Sequence, residues 1–94
     1  MYNNKENGQN SVATSAQKIY ILHNHYVNDY SDRNYYYCYT TEEAALDALN
    51  DFVIANLRNG WTEEDLDTDN NGWACFNNGI AKDEYTIAES EINA

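Results

Sequence analysis

Between residues 18 and 27 the sequence KIYILHNHYV alternates residue by residue. Ile19, Ile21, His23, His25 and Val27 fall on one side, and Tyr20, Leu22, Asn24 and Tyr26 on the other. A period of two defines a β-strand, because successive side chains of an extended backbone point to opposite faces. Turn formers follow at residues 28–34 (NDYSDRN), and then the aromatic run YYYCY at residues 35–39. Two strands joined by a polar turn predict a hairpin.

What can cover that hairpin comes next. Thr40, Thr41, Glu42 and Glu43 read as a helix start, with Thr40 capping the free amides and Glu43 reaching back to it. The helix is expected to run to Arg58. Leu46, Leu49, Val53 and Leu57, joined by Ala45 and Phe52, recur at spacings of three and four and would lie against the hairpin, while Glu43, Asp47 and Asp51 line the other side. Asn59 and Gly60 stop the helix, since Gly enters the left-handed conformation without a side-chain clash, and Trp61 follows as an anchor. Residues 62–71, TEEDLDTDNN, offer only Leu66 for burial and read as a helical turn running into a loop. A short strand is expected at residues 73–76, a turn at 77–79, and a last strand at 84–92 with Tyr85 and Ile87 in the core. The fold class is α+β: a small antiparallel sheet, made of the β-hairpin plus a C-terminal strand, with one main helix packed on a face. Residues 1–17 read as a flexible polar tail and residues 18–94 as a single domain.

Ninety-four residues exclude a two-domain enzyme with a cleft between lobes. Sixteen Asp and Glu against five Lys and Arg give a formal net charge of -11, a field that repels nucleic acid and anionic lipid. Charged partners should therefore be basic surfaces or cations. No run approaches the roughly 18–20 apolar residues of a membrane span, and residues 1–17 lack the apolar stretch of a signal peptide, so the expected location is cytoplasmic. Cys38 and Cys75 are too few and too far apart for a disulfide scaffold or a zinc framework, and read as reduced thiols.

The charge is unevenly spread. Through residue 40 the acids and bases cancel; all of the -11 lies beyond, where the only bases are Arg58 and Lys82. One reading is solubility, a charged helix face being usually a solvated face. The sharper reading is geometric: acids four apart on a helix, such as Glu43, Asp47 and Asp51, rise by about 6 Å each, comparable with successive phosphates of a nucleic-acid strand. With Glu63, Glu64, Asp65, Asp67 and Asp69 they would form a negative surface that an Arg-rich nucleic-acid channel accepts in place of its ligand.

The order of elements resembles that of a family of small acidic phage type II-A anti-CRISPR proteins, DNA mimics that block the RNA-guided nuclease. Carrying the resemblance are a strand ending Tyr26-Val27-Asn28, an acidic turn with Asp29 and Asp32, a Tyr strand, a helix bearing Phe52, Asn59-Gly60-Trp61 with the acidic run, and the end TIAESEIN. The family differs in opening with a helix and in a denser acidic run. The resemblance implies an inhibitor acting by protein–protein interaction in the host cytoplasm. Asp29 or Asp32 would match the turn acids, and Asp67, Glu64 and Asp69 those of the run, filling the cleft where Arg side chains read the protospacer-adjacent motif.

The alternative is an acidic protein-interaction domain with a calcium-binding-like loop. Asp67, Asp69, Asn71 and Trp73 occupy positions one, three, five and seven of such a loop with Gly72 at six, but Asn78 stands where a bidentate Glu is needed. His23 and His25 share a strand face as half of a metal site without a third ligand, or as partly buried rings beside aromatics. No nucleophile elbow or phosphate-binding Gly loop is present, so neither an enzyme nor a cofactor is expected. Tyr35, Tyr36, Tyr37 and Tyr39 fill a core, form an interface, or pair two copies as a homodimer through a weakly charged sheet edge.

Overall fold

The computed structural model describes residues 16–93, so the segment read as a polar tail lies outside the described residues except for its last two positions. These begin the first strand, β1 (Ala16–Val27). The order continues with β2 (Asp32–Tyr39), α1 (Glu42–Arg58), a 3-10 turn at Glu63–Asp65, β3 (Leu66–Thr68), β4 (Trp73–Asn77) and β5 (Lys82–Asn93). The strands form a five-stranded sheet in the order β2-β1-β5-β4-β3, every neighbouring pair antiparallel. The expected hairpin and C-terminal strand lie side by side in it, with β5 at the centre and β2 at one edge, and the fold is α+β.

Alternation along β1 decides which side α1 covers. Leu22 and Asn24 are buried, so the Tyr20-Leu22-Asn24-Tyr26 side faces the helix. Register carries the choice across the sheet: Asn24 is opposite Tyr85, Tyr85 opposite Ala74, and Phe76 opposite Leu66. Leu22, Leu49, Ala74, Phe76 and Tyr85 form the core, with Phe52, Val53, Leu57 and Trp61 packed against it. An aromatic seam ties helix to sheet, Tyr37 to Phe52 at 5.3 Å between ring centres and Phe52 to Tyr85 at 5.2 Å. Rings supplement the aliphatic side chains of this core, and each removes a large apolar area from water.

The structure moves several boundaries for local reasons. Asn28 closes the first turn by itself: its Oδ1 accepts from the Tyr30 and Ser31 amides at 2.8 and 2.7 Å, so β2 starts at Asp32 and not at Tyr35. The helix cap is Thr41 and not Thr40, its hydroxyl accepting from the Ala44 amide at 3.1 Å. At the other end Gly60 has φ +111°, and the Trp61 amide reaches back to the Asn56 carbonyl at 3.1 Å, the 6→1 bond of a Schellman stop. Within the acidic run Leu66 anchors β3, an extra outer strand where a loop was expected.

The two central strands outrun their neighbours. β1 and β5 pair from Ala16 opposite Asn93 to Val27 opposite Lys82, whereas β2 joins only at Tyr20 and β4 spans five residues. Their far end is a two-stranded ribbon, with Lys18 3.4 Å from Glu89. Among the described residues nothing covers the sheet face opposite α1.

Candidate functional site

The carboxylates singled out in the sequence do not gather in one place: some lie along α1, which packs over β1, β2 and β5, some in the 3-10 turn, β3 and the β3–β4 loop, and two at the β1–β2 tip. Glu43, Asp47 and Asp51 are exposed along α1. Asp47 lines a groove of about 370 Å³ between α1 and the β3–β4 side, with Leu46, Asn50, Thr68, Asn70 and Asn71. Glu63 and Glu64 are exposed in the 3-10 turn that leads into β3. Asp65 in the same turn serves the fold, its Oδ2 accepting from the Thr62 amide and hydroxyl at 3.0 Å each. Asp69 serves it too, its Oδ1 accepting from the Asn71 and Trp73 amides at 2.8 and 3.1 Å.

Asp67 stands apart from these neighbours. Its β3 position pairs with Cys75, which places it on the uncovered sheet face and not the helix side. Asp29 and Asp32 belong to the opposite edge, at the β1–β2 tip. Asp29 borders a smaller groove with Ile80 and Lys82 of the β4–β5 tip, and Asp32 Oδ1 accepts from His25 Nε2 at 2.7 Å. Strands lie about 4.8 Å apart, so the tip acids and the β3 edge are separated by roughly 15–19 Å of sheet. Turn acids and run acids are held apart across the sheet: Asp47 of α1 shares a groove with Asn70 and Asn71 of the β3–β4 loop, and Asp29 borders another at the hairpin tip.

Electrostatically the stretch from α1 to β4 is one-sided. From Glu42 to Ala81 the only basic residue is Arg58, in the last turn of α1. Glu42, Glu43, Asp47, Asp51, Glu63 and Glu64 therefore present a field with little local neutralisation, suited to a cationic partner and repulsive to phosphate.

The loop that resembles a calcium site is built as a hairpin turn. Thr68 Oγ1 donates to the Trp73 carbonyl at 2.6 Å and accepts from the Asn70 amide at 3.0 Å, and the Asp69 carboxylate folds onto amides as described. Among the described residues no group of three or more His, Cys, Asp or Glu is placed to hold a metal ion. His23 stacks on Tyr36 with 4.5 Å between ring centres and donates from Nε2 to Asn34 Oδ1 at 2.7 Å, so both histidines are partly buried rings beside aromatic and polar neighbours. Burial, reinforced by nearby Glu84, raises the Cys75 thiol above its ordinary value of 9.0, which keeps it protonated and unreactive at neutral pH.

Sequence reasoning missed one polar cluster. Asp83 is 7 % exposed, and its Oδ1 accepts from Asn24 Nδ2 at 2.6 Å. Its Oδ2 accepts from Asn56 Nδ2 and the Tyr85 hydroxyl, each at 2.8 Å. Burial, and then the bond to Asp83, holds the Tyr85 hydroxyl well above its ordinary value of 10.0. The signal lay in Asn24 on the inward side of β1 and Asn56 inside the apolar stripe of α1, polar residues at core positions that require partners. Every donor there is engaged, which makes the cluster a structural clamp between helix and sheet. No helix among the described residues is long and apolar enough to cross a membrane. Comparison with protein-family models, with curated proteins and with solved structures found no match.

Proposed function

We propose that this chain is a non-enzymatic acidic binding module that docks its α1 and β3-side carboxylates on the basic, nucleic-acid-binding surface of another protein and so keeps nucleic acid out. The observation that carries the reading is the one-signed flank: Glu43, Asp47 and Asp51 along the helix, with Glu63 and Glu64 of the adjacent turn, all exposed and without a Lys or Arg among them but Arg58. Helical acids at this spacing offer an arginine-lined channel carboxylates in place of phosphates. An RNA-guided nuclease is the partner to try first, given the likeness in element order. Asp29 and Asp32 lie across the sheet from the β3-side acids, and Asp32 is engaged by His25, which argues that they are not part of the same contact.

The test is a binding titration against a purified RNA-guided nuclease, followed by competition with its target DNA at two ionic strengths. Expected is mutually exclusive binding that weakens steeply with salt. The triple variant Glu43→Gln/Asp47→Asn/Asp51→Asn should lose at least about tenfold in affinity, equivalent to about 1.4 kcal/mol, while Asp29→Asn/Asp32→Asn stays within about twofold. Simultaneous binding of both ligands, or an unchanged affinity in the triple variant, ends the reading.

A further inference from the structure

Among the described residues β2 is an outer strand of the sheet, and the backbone side it turns away from β1 meets no other strand. Asp32 to Cys38 are all exposed. Eight extended residues span about 26 Å and present a row of alternating amides and carbonyls, a template for another strand. The opposite outer strand, β3, is unlike it: three residues long and bearing exposed Asp67, the short charged form that resists pairing. From Asn34 to Tyr39 there is no charge on β2.

The charge distribution selects the occupant. Acids and bases cancel through residue 40, while the whole -11 lies beyond it, on α1, the β3 side and β5. Two copies meeting edge to edge at β2 approach through strands that carry no charge from Asn34 to Tyr39, with the acidic β3 edge of each on its far side. We propose that β2 pairs antiparallel with β2 of a second copy, across a two-fold axis perpendicular to the sheet, so that two five-stranded sheets become one continuous sheet.

This operation keeps both helices on the same side and opposes only residues of the same face, which sets Tyr35 or Tyr36 across from its own copy. Tyr36 is 65 % exposed and already stacked on His23, so its second ring face is free for an aromatic cross-strand contact. Arg33 then falls beside Tyr37 or Tyr39 of the second copy, a cation–π arrangement. Residues 1–15 are a poor rival for the edge, because Met1, Tyr2 and Val12 are their only large apolar side chains.

Sedimentation velocity on the full chain, from about 10 to about 300 µM at low and high salt, reads the proposal directly. The expected result is a shift from 10.8 kDa to twice that mass as concentration rises, favoured by salt because screening relieves the repulsion between two acidic chains. Hydrogen exchange of the β2 amides should slow with concentration in parallel. Tyr35→Lys/Tyr36→Lys, which sets like charges across the two-fold, should remain monomeric with an unchanged far-UV circular dichroism spectrum. Should the variant not fold, the exchange experiment on the unmodified chain decides alone. A monomer throughout the range, a dimer that persists in the folded lysine variant, or a dimer whose β2 amides exchange at the monomer rate overturns the proposal.

Discussion

Asn24→Ala tests the claim that a buried carboxylate, and not apolar packing alone, holds the core together where β1, β5 and α1 meet. Asn24 is 8 % exposed and supplies the hydrogen bond to Asp83 Oδ1, while Oδ2 has both Asn56 and Tyr85. Removing Asn24 therefore leaves one oxygen of a buried carboxylate without a side-chain donor; removing Asn56 does not. A hydrogen bond to a charged group contributes about 1.5–3 kcal/mol, and an unsatisfied buried group keeps its desolvation cost. Asn24→Ala should accordingly destabilise the fold by about 2–3 kcal/mol, a fall in Tm of roughly 10–20 °C for a domain of this size. Asn56→Ala should cost about 1 kcal/mol, since Tyr85 still serves Oδ2 and alanine is the better helix former.

Urea denaturation followed by Trp fluorescence measures both, with an unchanged m-value as the sign that the unfolded state is not altered. The cycle through Asp83→Ala separates the bond from the packing. With Asp83 gone, Asn24→Ala should cost under about 1 kcal/mol, a coupling of at least about 1 kcal/mol. A cost below about 0.5 kcal/mol for Asn24→Ala in the unmodified chain, or additive behaviour in the cycle, refutes the argument.

The strands of the hairpin were legible because period two needs no tertiary information, and the helix was legible from its apolar stripe and its Asn59-Gly60 stop. Which face of β1 is inward was not. Ile19, Ile21 and Val27 are as apolar as Tyr20, Leu22 and Tyr26, and the decision rests on register with Tyr85, Ala74 and Phe76. Thr40 and Thr41 are equivalent as caps in sequence, and only the path from β2 into α1 selects Thr41. β3 escaped notice because three residues carry no period, and Leu66 pairs with a partner ten positions away. The candidate site was readable as a sign of charge and not as a shape: Asp65 and Asp69 look like their neighbours, yet their carboxylates are committed to local amides. Asp67 was misread as part of the helix-side surface because one residue of strand register turns a side chain to the opposite face.

Thr41→Ala should destabilise by about 1 kcal/mol and Thr40→Ala by under about 0.5 kcal/mol in thermal unfolding, since only Thr41 holds a helix amide. With a thiol reagent at pH 8, exposed Cys38 should react first and half-buried Cys75, raised above 9.0, many times more slowly; equal rates contradict the packing of β4. The last expectation concerns alkaline pH. Tyr85 has a raised value in the folded chain and an ordinary one near 10.0 when unfolded, so above pH 10 the unfolded chain loses a proton that the folded chain retains. The contribution of Tyr85 to stability is therefore complete below pH 10 and declines as pH climbs toward the folded value, by up to about 1.4 kcal/mol per pH unit for one proton. Tyr85→Phe has no proton to lose; it should be less stable at pH 7, where Asp83 has lost one of its three side-chain donors, yet show a shallower decline in urea titrations between about pH 10 and 11.5. Equal slopes in the two proteins would mean that Tyr85 ionises freely in the folded chain, and with it the clamp between α1 and β5 would have to be open to water.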